Sequence, residues 1–194
     1  MREPTDFTPS PSQTVGPYFW IGLTCHHSVA TIAAPGVKGE RVKLTCVLLD
    51  GQGEAIPDGM IEVWQANADG EYNHPDDPQP KETDPKFLGF GRLGTDSNGA
   101  CVFETIKPGR VPGPDGAMQA PHLEISIFSR GLLKQLATRI YFAGEAANLE
   151  DPVLALVPED RRETLLALPV EGAPGEWRIV FRLSGADETV FFEV

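Results

Sequence analysis

Four side chains of types that can bind metal ions attract attention first: Tyr72, His74, His122 and Glu124. His122 and Glu124 are two positions apart in an alternating segment, so a β-strand would direct both side chains to one face. Two histidines with a carboxylate form a known site for non-haem iron, and Tyr72 could add a phenolate oxygen. A hydrogen-bonded polar cluster would use the same H-x-E pair. His74 lies in the polar segment 73–77, which predicts a surface loop.

Short strands must position these residues. Alternating patterns lie at residues 41–48, 60–65, 100–106, 122–127, 139–142 and 177–183. Asp96-Ser97-Asn98-Gly99 is a hairpin-type turn sequence. The helical pattern follows Asp151-Pro152, an N-cap with proline at the first helical position, and covers residues 158–168. The sequence therefore predicts a mostly β protein, an antiparallel β-sandwich or barrel with a short helical insertion.

The length of 194 residues favours one domain with an appendage. Residues 1–39 interleave prolines with aromatic residues, which predicts an N-terminal arm that packs on its own body or on a partner. Residues 40–194 then form the β-sandwich domain.

Composition excludes several classes of function. A net charge of −12 without a Lys/Arg cluster argues against nucleic-acid binding, and no apolar run is long enough to span a membrane. The sequence contains no glycine-rich phosphate loop, no G-x-S-x-G and no H-E-x-x-H. Cys25, Cys46 and Cys101 are odd in number and lack C-x-x-C spacing, which argues against a disulfide framework and predicts a cytoplasmic protein.

Several motifs resemble those of the intradiol ring-cleaving dioxygenases. They are Ile61-Glu62-Val63-Trp64-Gln65-Ala66-Asn67 with Gly70-Glu71-Tyr72, residues 90–99, Thr105-Ile106-Lys107-Pro108-Gly109, the strand at His122, and residues 138–142. The arm sequence Ser12-Gln13-Thr14-Val15-Gly16-Pro17-Tyr18 resembles family members built from two homologous chains, α and β. The resemblance covers nearly the whole chain. It implies the intradiol type of β-sandwich and O₂-dependent opening of a dihydroxybenzoate ring between its two hydroxyls.

The family's ferric ion is held by two tyrosinates and two histidines. Tyr72 and His122 match this set, whereas Glu124 replaces the second histidine and Gly109-Arg110-Val111 lacks the second tyrosine. The family's arginine has no counterpart in residues 117–121. Two tyrosinates stabilise Fe(III) in a way that a Tyr/His/Glu remnant would not reproduce. The resemblance therefore implies a vestigial cluster here, no metal on this chain, and Fe(3+) on a homologous β chain.

The resemblance also implies that this chain completes the substrate pocket of its partner. The contributing residues map to Thr14, Gly16, Pro17 and Arg130. The substrate, 3,4-dihydroxybenzoate, carries a carboxylate that an arginine would pair with, and Gly16 would allow close approach of the backbone. The residues alone favour a surface arginine at a strand end and a plain turn at Gly16-Pro17, and the resemblance reverses this preference for Arg130.

Three functions compete. The first is a non-catalytic subunit of an oxygenase, in an obligate heterodimer that repeats into a larger symmetric oligomer. The second is a self-sufficient non-haem metalloenzyme that uses Tyr72, His122 and Glu124. The third is a β-sandwich interaction module without catalytic association, which leaves the arm motif unexplained. Metal content of the isolated chain separates the first two.

Overall fold

The computed structural model describes residues 11–77, 79, 84–113 and 116–193. Its strands are β1 (Arg41–Leu49), β2 (Met60–Trp64), β3 (Phe90–Gly94), β4 (Ala100–Ile106), β5 (His122–Phe128), β6 (Leu136–Phe142), β7 (Leu166–Pro169) and β8 (Glu176–Arg182). An α-helix, α1 (Pro17–Thr24), precedes them, and 3-10 helices span Ala146–Glu150, Leu154–Leu156 and Glu159–Leu165. None of the helices in these ranges is long and apolar enough to cross a membrane.

The strands are hydrogen-bonded in the order β3-β2-β5-β6-β7-β8-β1-β4. Only two residue pairs join β6 to β7, and the halves on either side of this junction fold over a common core. Gly91 of β3 lies against Phe103 of β4, although these strands stand at opposite ends of the order. The expected mostly β fold is confirmed. Most pairs are antiparallel as expected, while β1–β8 and β6–β7 run parallel.

Strand β5 shows how the core and the polar cluster share one element. Leu123, Ile125 and Ile127 point inward and are almost completely buried. Period-two alternation places His122 and Glu124 on the opposite face. Burial of the apolar set fixes the register, because a shift by one residue would place these side chains outside the core. The core residues therefore determine where the polar pair lies.

The described part of the arm packs on the sandwich. Ile32 and Ala33 are fully buried in the core, and Val29 N donates to Arg92 O at 2.7 Å. The ring of Phe19 in α1 lies 5.3 Å from that of Phe128, measured between centroids. The division into an arm at 1–39 and a domain at 40–194 stays a prediction.

Three local expectations are wrong. Residues 158–168 do not form one helix, because the 3-10 helix Glu159–Leu165 is followed directly by β7, whose Ala167 is buried in the core. Helix α1 was not expected; it begins after the N-cap Gly16 with proline in its first turn. The turn at Asp96–Gly99 forms, with Gly99 N donating to Asp96 O, but it joins β3 to β4, which are not paired. The turn therefore passes between the two halves of the sandwich and is not a hairpin.

Candidate functional site

The polar cluster forms where β5 pairs with β6. Their antiparallel register sets His122 opposite Tyr141 and Glu124 opposite Arg139. Directly opposed residues on one face are close enough for their side chains to interact. The register thus brings a second strand's polar side chains against the H-x-E pair.

Arg139 carries the positive charge of this cluster. Its Nη2 lies 2.7 Å from Glu124 Oε1, and its Nη1 donates to Gln119 Oε1 at 2.7 Å. Burial by itself would raise the pKa of Glu124, but His122 and Arg139 outweigh it and lower that pKa below its usual range. Glu124 is therefore a carboxylate at neutral pH, with its charge compensated by the protein.

The two ring nitrogens of His122 have different surroundings. Nδ1 lies 2.7 Å from the carbonyl oxygen of Ala120, and since a carbonyl only accepts, Nδ1 carries a proton. Nε2 lies 3.3 Å from Glu124 Oε1, an electrostatic contact that lacks good hydrogen-bond alignment. The ring is almost fully buried, and its Nδ1 is already held by a backbone carbonyl.

Tyr72 lies beside the cluster and stacks on Trp64, with ring centroids 6.1 Å apart and planes within 5°. Burial, and then the negative charge of Glu124, raise the pKa of Tyr72 to about 12. The phenol therefore keeps its proton at neutral pH in these surroundings. A tyrosinate ligand would need the opposite influence on its pKa.

The remaining positions of the family's iron site also lack suitable donors. Val111 is buried, and Arg110 donates to Met118 O at 2.8 Å and approaches Glu150 Oε2 at 3.1 Å. Within the described ranges, no three His, Cys, Asp or Glu side chains are arranged to hold a metal ion. Together with Arg139 on the carboxylate, this donor set does not fit an Fe(III) site.

His74 lies in the loop expected from its polar neighbours and is exposed. Its ring stands nearly perpendicular to that of Trp64, with centroids 5.9 Å apart. Both rings line an open cleft of about 500 Å³, together with Tyr72, Asp76, Asp77, Gln79 and Pro112. His74 is thus an exposed residue that lines a cleft, whereas His122 is buried.

The residues expected to contact substrate gather elsewhere, beyond the far end of β5. Thr14 Oγ1 accepts a hydrogen bond from Gly131 N at 2.8 Å, which brings the arm to within one residue of Arg130. Gly16 is the N-cap of α1 and Pro17 its first residue. At ~3.3 Å per residue, β5 spans roughly 20 Å from His122 to Phe128, and this group lies beyond Phe128. It cannot contact a ligand bound at the polar cluster of the same chain.

An ion pair fixes Arg130 at this end of the sheet. Its Nε contacts Asp58 Oδ2, while the arginine side chain stays 68% exposed. Tyr18 and Ile21, on the neighbouring helix α1, are exposed as well. Charged, polar and apolar groups are therefore all accessible in one region of the surface.

Sequence reasoning missed Arg139, Tyr141 and Asp151 as members of the polar network. Asp151 is fully buried and accepts from Ala120 N at 2.7 Å and from Tyr141 Oη at 3.1 Å. Its carboxylate also accepts from Leu154 N at 2.7 Å, at the start of a 3-10 helix. The sequence signal that could have indicated this network was Arg139, a charged residue in the alternating segment 139–142.

Comparison with known proteins gives a consistent result. The family model described as Dioxygenase matches residues 14–176. The chain is 42% identical to the protocatechuate 3,4-dioxygenase alpha chain of Burkholderia cepacia, over 98% of this chain and 100% of that one. It is 38% identical to the beta chain from the same organism, over 66% of this chain and 56% of that one. Among solved structures, 3-chlorocatechol 1,2-dioxygenase from Rhodococcus opacus matches with a TM-score of 0.63 and 24% identity, over 91% of this chain and 68% of that one.

Proposed function

The chain belongs to the intradiol dioxygenase family, and on this premise we propose that it is the α chain of a protocatechuate 3,4-dioxygenase. The enzyme opens the ring of 3,4-dihydroxybenzoate between its hydroxyls with O₂ and yields 3-carboxy-cis,cis-muconate. In this proposal the α chain holds no iron. It pairs with a homologous β chain and completes the substrate pocket of that partner.

The Glu124–Arg139 ion pair is the observation that carries this proposal. A carboxylate stands where the family has a metal-binding histidine, and an arginine already neutralises it at 2.7 Å. Likeness to an alpha chain over 98% of the residues supports the same assignment, since it extends through the arm as well as the sandwich. A chain that keeps the fold but changes the donors is expected to serve the complex by binding and assembly.

Iron belongs on the β chain in this proposal. Fe(III) supplies the activation of the bound catechol, and the residues of the α chain only bind and orient. The exposed Tyr18 and Ile21 on α1 offer an apolar face for an obligate heterodimer. A dimer of this kind then repeats into a larger symmetric oligomer.

Arg130 is the residue that we assign to the substrate carboxylate. A guanidinium matches a carboxylate in charge and can form two parallel hydrogen bonds with it. Thr14 anchors the arm beside it through Gly131, which supports a joint pocket wall that includes Gly16 and Pro17. The net charge of −12 makes a local cation necessary for attracting an anionic substrate.

Iron content tests the proposal. The chain is purified alone and after co-expression with a β-type partner, and bound iron, visible absorption and ring cleavage are measured each time. We expect a colourless, iron-free chain alone and a coloured, active complex with iron in proportion to the β chain. Stoichiometric iron on the isolated chain would instead establish the metalloenzyme that uses Tyr72, His122 and Glu124. Failure to form any complex with a β-type chain would favour the interaction module.

A further inference from the structure

We propose that Asp58 is a positioning residue for Arg130, which it orients toward the carboxylate of the substrate. The inference deepens the proposed function and rests on it. Asp58 touches no substrate in this proposal. It acts through Arg130.

The pairing of β2 with β5 brings Asp58 and Arg130 to the same end of the sheet. Asp58 comes two residues before β2 begins at Met60, and Arg130 comes two residues after β5 ends at Phe128. Met60 and Phe128 are paired in the antiparallel ladder of β2 and β5. Both segments turn within two residues of this pair, at Asp58 and at Arg130, and the two side chains make an ion pair there.

The backbone around Arg130 is held on both sides. Ser129 is buried, and Gly131 has a φ of +89°, a conformation that favours glycine. Gly131 N donates to Thr14 Oγ1, which ties this turn to the arm. The Cα of Arg130 is thus fixed, whereas its long side chain is mostly exposed. In the described part of the chain, Asp58 is the group that restrains the side chain.

The atoms in contact decide what the restrained guanidinium can still bind. Asp58 Oδ2 contacts Nε, at one edge of the planar group. The two terminal nitrogens form a second edge, which can bind a carboxylate with two parallel hydrogen bonds. Asp58 lies in a turn and its side chain is only 29% exposed, so the position of its carboxylate is restricted. An anchored arginine loses less conformational freedom when substrate binds than an arginine that is free to rotate.

If Asp58 had a purely structural role, its loss would lower the stability of the complex or affect all ligands alike. Ion pairs between exposed groups contribute little to folding, so loss of Asp58 is expected to leave the stability of the complex nearly unchanged. Its effect should be confined to ligands that carry a carboxylate.

The test uses the assembled α/β enzyme with Asp58→Ala, Asp58→Glu and Arg130→Ala. KM and kcat are measured for 3,4-dihydroxybenzoate, and inhibition constants for 4-hydroxybenzoate and for phenol, which lacks the carboxylate. We expect Asp58→Ala to raise KM and the 4-hydroxybenzoate constant about 3- to 10-fold, with kcat and phenol inhibition unchanged. Asp58→Glu should restore most of the loss. Glu176→Ala, which removes another exposed ion pair with Lys43, is the matched control.

The double variant Asp58→Ala/Arg130→Ala tests whether Asp58 acts through Arg130. Asp58→Ala should have no further effect once Arg130 is absent. An effect that persists without Arg130, an equal effect on phenol, or an unchanged or lower KM in Asp58→Ala would overturn the inference. If Arg130→Ala itself leaves KM unchanged, the proposed pocket role fails. If Arg130→Ala raises KM but Asp58→Ala does not, only the positioning role of Asp58 fails.

Discussion

Glu124 and Arg139 face each other across β5 and β6, and Arg139 Nη2 lies 2.7 Å from Glu124 Oε1. A protein cation thus compensates the carboxylate that the family resemblance maps to a metal-ligand position. The Glu124–Arg139 pair is therefore balanced in charge. Four predictions follow from this arrangement and from the geometry of the arm.

Replacing Arg139 by methionine should destabilise the folded chain. Glu124 would keep its negative charge without a partner, at an estimated cost of about 1–2 kcal/mol. That figure is below the range for fully buried pairs, because Glu124 is 38% exposed. Urea unfolding at constant protein concentration measures the change. Arg178→Met, at an exposed position on β8, is the control and should shift the free energy of unfolding by under about 0.5 kcal/mol. Equal shifts in the two variants would contradict a stabilising role for the pair.

Lowering the pH should reduce the contribution of Glu124 to the free energy of unfolding. Its pKa is lowered in the folded chain, and a carboxyl of this kind stabilises the fold above its unfolded pKa of about 4.3. That stabilisation is lost as the pH falls through the folded pKa. Glu124→Gln should therefore be less stable than the parent from pH 6 to 8, with the gap shrinking below about pH 4.5. Urea unfolding across this pH range tests the sign, and a gap that widens on acidification would refute it.

Removal of the Tyr72 hydroxyl should leave iron untouched. Tyr72→Phe keeps an aromatic ring against Trp64 and deletes only the oxygen, which is protonated at neutral pH because its pKa is about 12. In the assembled enzyme we expect unchanged iron per α/β pair and unchanged visible absorption. A loss of iron in proportion to the variant chain would show that this chain binds metal.

Two glycines of the arm provide a matched pair of variants. Neither Gly16 nor Gly22 has a protein atom within 4 Å of an added Cβ, and neither has a left-handed φ. Gly16→Ala at the N-cap of α1 should lower the free energy of unfolding by under about 1 kcal/mol. It should raise KM for 3,4-dihydroxybenzoate several-fold, because the methyl group would intrude on the joint pocket. Gly22→Ala lies inside α1 and should stabilise the chain by roughly 0.5–1 kcal/mol with KM unchanged. Equal KM values for both variants would place Gly16 outside the pocket.

Local patterns predicted much of the fold. Alternation at residues 41–48 and 122–127 marks β1 and β5 almost to their ends, because one face of each strand is buried. The pairing of one strand with another could not be predicted from these local patterns. The parallel pairing of β1 with β8 depends on contacts between distant segments, and no local signal encodes it. Helix α1 was missed because its apolar residues lack a clear helical face and Gly22 lowers its helix propensity.

In the candidate site, too, the residue types were predictable from the sequence, whereas the contacts between strands were not. Residue types alone identified His122 and Glu124 as a pair on one strand face, which the structure confirms. The partnership of Glu124 with Arg139 requires the register of β5 and β6, and that of Arg130 with Asp58 requires the register of β2 and β5. Both ion pairs became visible only when the strands were aligned, since nothing in a single segment specifies its partner.

The parallel pairing of β1 with β8 has a consequence for biosynthesis. Lys43 and Glu176 are register partners although 133 residues separate them along the chain. One edge of β1 pairs with β4, and its other edge stays uncovered until β8 has been synthesised. Such distant pairing slows folding and leaves apolar strands accessible during translation. A chain that stops before β8 would lack the core residues Ile179 and Phe181, so the sandwich can close only after β8 has been synthesised.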